Sequence, residues 1–219
     1  MGSLTQLLFP SSCIICGSSG FELCSPCDRK IIRNRQPLKL DGMRVYSAAY
    51  YGDELAKVIV LAKEKNNLIA RNFLVELLVQ SFMEVATSPA ELHGFTLVPI
   101  PSRRAANRKR GFRHCALLAQ GIARAVNGRY PGGVKVEELL TVNRRTADQS
   151  ALSNPGRFSN ISGAYSLAPF KAIDLGPILL VDDLVTSGSS MREGLRSLKE
   201  AGIAPFGALS AGVSHRVFS

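Results

Sequence analysis

The stretch Ile178-Leu-Leu-Val-Asp182-Asp183-Leu-Val185-Thr186-Ser187-Gly188-Ser189-Ser190 constrains this chain more than any other. Its leading apolar residues predict a buried strand, with two adjacent acids at the strand's tip. A turn of small hydroxyl residues and glycine follows, then a helical pattern from Met191 to Ala201. A strand that passes through such a turn into a helix is a place to hold a phosphorylated sugar. The orphan N–H groups of the turn and first helical turn attract anions, and small residues let the backbone come close to a phosphate. Asp182 and Asp183 cannot bind a phosphate directly. Accepting hydrogen bonds from sugar hydroxyls near a divalent cation suits both their charge and their place.

The alternation of strand and helix patterns around this stretch predicts an α/β fold, a mainly parallel sheet with helices on both faces. Strands are expected over Met43 to Tyr51, Phe95 to Ile100, Val134 to Leu140 and Phe206 to Val213. Helices are expected from Asp53, as N-cap, through Leu55, Val58, Ile59 and Ala62, and over Ile69 to Ala86 and Cys115 to Val126. A short basic helix is expected over Pro26 to Asn34, and Gln36 to Gly42 reads as a linker. In such sheets ligands sit beyond the carboxyl ends of the strands. Both the Asp182-Asp183 tip and the Pro99-Ile-Pro101-Ser102 turn belong there.

Cys13-x2-Cys16-x7-Cys24-x2-Cys27 gathers four of the five cysteines at the start of the chain. Each Cys-x2-Cys pair forms a knuckle that presents two thiolates, and two knuckles supply the tetrahedral sulfur set that suits Zn²⁺. Disulfides or an iron–sulfur cluster are the alternatives, the former disfavoured where thiols stay reduced. A zinc here would be structural, since no coordination position is left open. The isolated Cys115 reads as a buried, inert thiol. No apolar run reaches the ~18–20 residues that span a bilayer. The opening Met1 to Pro10 is too short and too neutral for a secretory signal, so cytoplasmic residence is expected.

The formal charge is +10 over 219 residues, which favours anionic partners without choosing among them. Ser102 to His114 carries Arg103, Arg104, Arg108, Lys109, Arg110 and Arg113 between a strand and a helix. It reads either as a solvated loop or as a mobile cationic flap, with Gly111 as its hinge. Arginines are suited to gripping a departing diphosphate because the planar fork holds two oxygens at once. A second polar cluster runs through Asn143, Arg144, Arg145, Thr146, Gln149, Ser150, Leu152, Asn154, Arg157 and Asn160. It reads as a surface loop, an active-site wall or a nucleic-acid groove.

The strand–acid–loop–helix pattern resembles the signature of type I phosphoribosyltransferases, which bind 5-phosphoribosyl 1-diphosphate (PRPP). The resemblance implies that Asp182 and Asp183 meet the ribose hydroxyls. It implies that Val185, Thr186, Ser187, Gly188, Ser189 and Ser190 wrap the 5-phosphate. Taken in order, the double Cys-x2-Cys, Val98-Pro-Ile-Pro101, Arg110-Gly-Phe112, Arg144-x-Thr146-x2-Gln149-x2-Leu152, Arg157-x2-Asn160 and the acid-pair motif resemble the ComF family, also called ComFC or GntX. That resemblance covers nearly the full length. It implies a zinc-binding element and linker over residues 1–42 and a phosphoribosyltransferase-like domain over 43–219. It further implies PRPP as ligand with Mg²⁺, an unknown acceptor, and Arg103, Arg108 and Arg110 on the leaving diphosphate. Some members are linked to DNA uptake in natural competence, as partners of a DNA helicase. Many carry Asn-Gln after the Arg-Gly-Phe, where this chain has Arg113-His114. The alternative is a non-catalytic accessory that binds single-stranded DNA with the same fold, mostly through phosphates.

Overall fold

The computed structural model describes residues 12–34, 36–86, 94–128, 130, 132–143, 163–170 and 175–214. Helix α1 (Ser25–Lys30) leads into strands β1 (Leu38–Leu40) and β2 (Met43–Tyr50), helices α2 (Asp53–Lys65) and α3 (Leu68–Val85), and strand β3 (Phe95–Pro99). Helices α4 (Arg104–Arg110) and α5 (His114–Val126) follow. Then come strands β4 (Val134–Val136), β5 (Leu140–Val142), β6 (Tyr165–Leu167) and β7 (Ile178–Val185), helix α6 (Ser189–Glu200) and strand β8 (Gly207–Val213). The main sheet runs in the order β1-β2-β8-β7-β3-β4. All neighbours in it are parallel except the β1–β2 pair. This is the expected α/β architecture, and it is consistent with a phosphoribosyltransferase-like fold.

Two apolar layers flank the sheet because its central strands are buried on both faces. On one face Phe95, Leu97, Leu179, Val181, Leu209 and Ala211 pack against α2, α3 and α5 through residues such as Leu55, Leu74 and Leu118. On the other face Val98, Leu180 and Ala208 pack against Met191, Leu195 and Leu198 of α6 and against the β5–β6 hairpin. The helices keep the sequence's periodicity. In α2 the buried residues Leu55, Val58, Ile59 and Ala62 form one stripe. Asn67 caps α3, its side-chain oxygen accepting from the Ala70 N–H at 2.9 Å. The cap position of α2 is Gly52, with Asp53 the first helical residue.

Three local readings change. The stretch Val134 to Leu140 is not one strand. β4 pairs with β3 at the sheet edge, then Glu137 and Glu138 carry the chain out of the sheet, and Leu140–Val142 pairs with β6. Charged side chains do not suit a buried ladder, so the break falls at the two glutamates. Within the stretch read as a linker, Leu38–Leu40 adds an antiparallel edge strand. The basic stretch after β3 holds a helix, α4, with no buried residue and Gly111 at its C-cap in the left-handed region (φ 78°). Arg, Lys and Ala are strong helix formers, which a reading by charge alone passes over. The cluster from Arg144 to Asn160 lies outside the described residues, as does Met1 to Pro10.

Candidate functional site

The register of the sheet brings two of the expected features side by side. Pro99 of β3 lies opposite Val181 of β7, and the Ile100 N–H donates to the Val181 carbonyl at 2.9 Å. The Pro99–Ser102 turn therefore leaves the sheet directly beside Asp182 and Asp183. The acids do not stand beyond the strand: β7 continues through them to Leu184 and Val185, which pair with Gly212 and Val213 of β8. Both acids are buried, Asp182 at 8 % exposure and Asp183 at 2 %.

Their partners come from distant parts of the chain. Lys63, near the end of α2, places its Nζ 2.7 Å from Asp183 Oδ2. His114, at the start of α5, brings Nε2 to 3.4 Å of the same oxygen. The Cys115 thiol donates to Asp182 Oδ1 at 3.3 Å, and that oxygen also accepts from the Asp183 N–H at 2.9 Å. His114 is fully buried, yet neither ring nitrogen has a hydrogen-bond partner. Nε2 reaches Asp183 by proximity without the alignment of a bond.

The electrostatics follow from this packing. Burial would raise the Asp183 carboxyl, but the His114 and Lys63 contacts outweigh it and hold it below the usual carboxylate range. Burial and the neighbouring Asp183 charge push Asp182 up, with Lys63 opposing only in part. Burial and the two acids also push the Cys115 thiol up. Burial works against the Lys63 ammonium, and Asp183 and Asp182 overcome it and keep it charged. Ionisation is thus favoured at Asp183 and opposed at Asp182, with the Lys63 cation beside them.

The turn after β7 has the features an anion needs. Thr186 is exposed and Ser187 half-buried. Gly188, buried, takes the left-handed conformation (φ 76°) at the N-cap of α6. The N-cap residue makes no side-chain cap and the first turn of that helix holds no acid; the Ser189 N–H donates to Ser187 Oγ at 3.4 Å, and no acid of that turn opposes the helix dipole. Ser187 and Ser189 share a hydroxyl hydrogen bond of 2.8 Å, and Arg192 donates to the Ser187 carbonyl at 2.6 Å. Behind the turn, Glu193 accepts from the Tyr165 N–H at 2.9 Å and from Arg196, fastening α6 to β6.

The basic residues divide. Arg103, at the N-cap of α4, is exposed, as are Arg108 and Lys109 within it. Arg110 is drawn in, 11 % exposed, with Nε 3.2 Å from Glu64 and Nη1 buried without a hydrogen-bond partner. Arg113 pairs with Glu138 at 2.7 Å. A cavity of about 220 Å³ opens at the start of α5, lined by Pro99, Ser102, Arg104, Asn107, Arg113, His114, Cys115 and Thr141 among others but by neither acid. Lys63 does not stand out in the sequence, although it carries a signal: it falls four residues after Ile59, on the buried stripe of its helix. His114 and Cys115 gain their meaning only from β7.

The N-terminal cysteines converge. The sulfurs of Cys13, Cys16, Cys24 and Cys27 all lie within 4.8 Å of one another, and none is in a disulfide. Cys16 Sγ and Cys24 Sγ are 3.6 Å apart, near the ~3.8 Å edge of a tetrahedron with ~2.3 Å zinc–sulfur bonds. Burial opposes ionisation of Cys13, but backbone N–H donors, led by Cys24, bring its thiol down to about 6. Burial and the adjacent sulfurs push Cys27 up to about 12. Four sulfurs this close cannot all ionise without a dication between them, so the set fits a structural zinc. The Cys24 N–H points at Cys13 Sγ (3.5 Å), an outer-sphere contact that orients a ligand.

No helix among the described residues is long and apolar enough to cross a membrane. No family model matches the chain. It is 28 % identical over 108 residues to Competence protein F of Haemophilus influenzae, a match covering 49 % of this chain and 45 % of that protein. The chain is thus a distant relative of Competence protein F over about half its length, which bears out the ComF resemblance read from its motifs.

Proposed function

We propose that the chain is a ComF-type, phosphoribosyltransferase-like protein that binds PRPP with Mg²⁺. The observation that carries this reading is the continuous run from the buried acids of β7, through the left-handed Gly188, to the uncapped N-terminus of α6. Asp182 and Asp183 take the ribose hydroxyls. Val185 to Ser190 take the 5-phosphate through main-chain N–H groups, with Thr186 and the serine hydroxyls assisting. Mg²⁺, when bound with the ligand, offsets diphosphate charge. Arg103 and Arg108 of the α4 segment, with Arg110 beside Glu64, take the departing diphosphate, where positive charge stabilises the transition state more than the ground state. The acceptor is a nitrogen nucleophile of unknown identity. The zinc-bound segment before β1 is an accessory to the larger domain, to whose sheet β1 belongs, and the protein acts in the cytoplasm, with a role in DNA uptake beside a helicase.

Isothermal titration with PRPP and Mg²⁺ tests the reading. Wild type gives saturable heat, and Asp182→Asn with Asp183→Asn weakens binding by about tenfold or more, because hydrogen bonds to a charged group such as the Asp183 carboxylate contribute roughly 1.5–3 kcal/mol each. Absence of heat from wild type at millimolar ligand overturns it.

The exposed basic face of α4 favours a second reading, a single-stranded DNA accessory that does not turn over substrate. Such binding falls steeply with salt, and a gel-shift series that stays weak and flat from low to moderate salt removes it.

A further inference from the structure

The acid pair already has a cation, and that cation belongs to the protein. Lys63 Nζ lies 2.7 Å from Asp183 Oδ2, the distance of a direct charge-assisted hydrogen bond. The groups that face this carboxylate are Lys63 from α2 and His114 from α5, while the neighbouring Asp182 carboxylate accepts from the Asp183 backbone N–H and from Cys115. A divalent ion bound directly to Asp183 Oδ2 would have to displace the ammonium already bonded to it. The fully buried His114 ring, with both nitrogens unpartnered, stands 3.4 Å from the same oxygen. A buried imidazole without partners is costly unless something else completes it. A neutral hydroxyl that both donates and accepts could do so without disturbing the charge balance.

We propose that Lys63 is the resident counter-ion of the acid pair, holding Asp183 for a neutral diol and taking the place a divalent cation would otherwise occupy. This rests on the sugar-binding reading above and deepens it. The acids recognise the ribose without metal, and any Mg²⁺ requirement comes from the diphosphate of the ligand. Lys63 is a positioning residue: it acts through Asp183 and forms no bond to the reacting carbon.

The test separates the two ideas. On wild type, ribose 5-phosphate, which lacks the diphosphate, is titrated in EDTA and again in Mg²⁺. The proposal expects the two dissociation constants to agree within about threefold, whereas a direct metal bridge would separate them by roughly tenfold or more. Mn²⁺ alone is then titrated by electron paramagnetic resonance. Wild type shows no Mn²⁺ site that Asp183→Asn removes, while Lys63→Met gains one at about tenfold or higher affinity, because the buried Asp183 carboxylate is left without its cation. Adding Asp183→Asn to Lys63→Met abolishes the gain. Lys63→Gln repeats the experiment should circular dichroism show Lys63→Met unfolded. Mg²⁺-dependent ribose 5-phosphate binding in wild type, a wild-type Mn²⁺ site at Asp183, or no gain in a folded Lys63 variant each overturns the proposal. Failure of wild type to bind ribose 5-phosphate under either condition instead overturns the sugar reading, and the Mn²⁺ results still decide the role of Lys63.

Discussion

Gly188 sits where the backbone must turn from strand to helix. Its φ of 76° is one that L side chains rarely adopt, and an added Cβ would lie 2.8 Å from a methyl carbon of Leu40. Gly188→Ala is therefore expected to destabilise the fold by about 1–2 kcal/mol, measured by urea denaturation, and to weaken PRPP binding by misdirecting the N–H groups of the turn. This residue is legible from the sequence because its role is local: hydroxyls and a glycine between an apolar run and a helix pattern leave few conformations. Lys63 is the opposite case. Its partner Asp183 is 120 positions away, and the only local hint is a lysine on an apolar stripe. His114 likewise reads as a polar residue at a helix start until β7 runs beneath it.

Helix α6 does two jobs: its N-terminus faces the candidate phosphate position, and its middle is fastened to β6. Glu193 accepts from the Tyr165 N–H, and both its oxygens accept from Arg196, which also pairs with Glu200. Burial would raise the Glu193 carboxyl, but Arg196 and the backbone donor outweigh it and lower it from the ordinary 4.5. The sign follows: the stabilisation is fully present above the ordinary value and is lost as pH falls through the depressed one. Glu193→Gln is expected to cost about 1–3 kcal/mol at pH 7, and the gap from wild type should shrink as pH drops below about 4.5. Denaturation curves at pH 7 and at successively lower pH check this; a gap that stays constant removes the assigned charge. Elements with one clear period, such as α2, α3 and β8, are close to their sequence readings. The division of residues 134–142 between two sheets was not legible, because a short apolar run does not say which neighbour it will pair with.

The zinc element is stitched to the body rather than hung from it. Ile31 is buried in the core beneath α2 and α3, and Ile14 and Ile15 pack against the same core. Asn34 N–H donates to the Ala48 carbonyl, and Tyr50 N–H to that of Ile32, each at 2.8 Å. Chelation, or Cys13→Ser, is expected to remove one zinc per chain by atomic absorption and to unfold the knuckles. The packing also predicts that the larger body stays folded with its melting temperature lowered by on the order of 5 °C. An unchanged melting temperature would show the two parts to be independent. Zinc retention should weaken on acidification, because the thiolates must be deprotonated to bind.

The α/β architecture, the acid-pair turn and the four-cysteine set could all be read from the chain alone. Each is encoded by neighbours in sequence: a hydrophobic period, a turn composition, a ligand spacing. The charge state of the acids could not be read that way. It depends on Lys63, His114 and Cys115 arriving from two other helices, and on burial that strengthens their mutual field. Only packing the α2, α3 and α5 layer onto the parallel sheet turns two exposed-looking aspartates into a buried, internally neutralised pair.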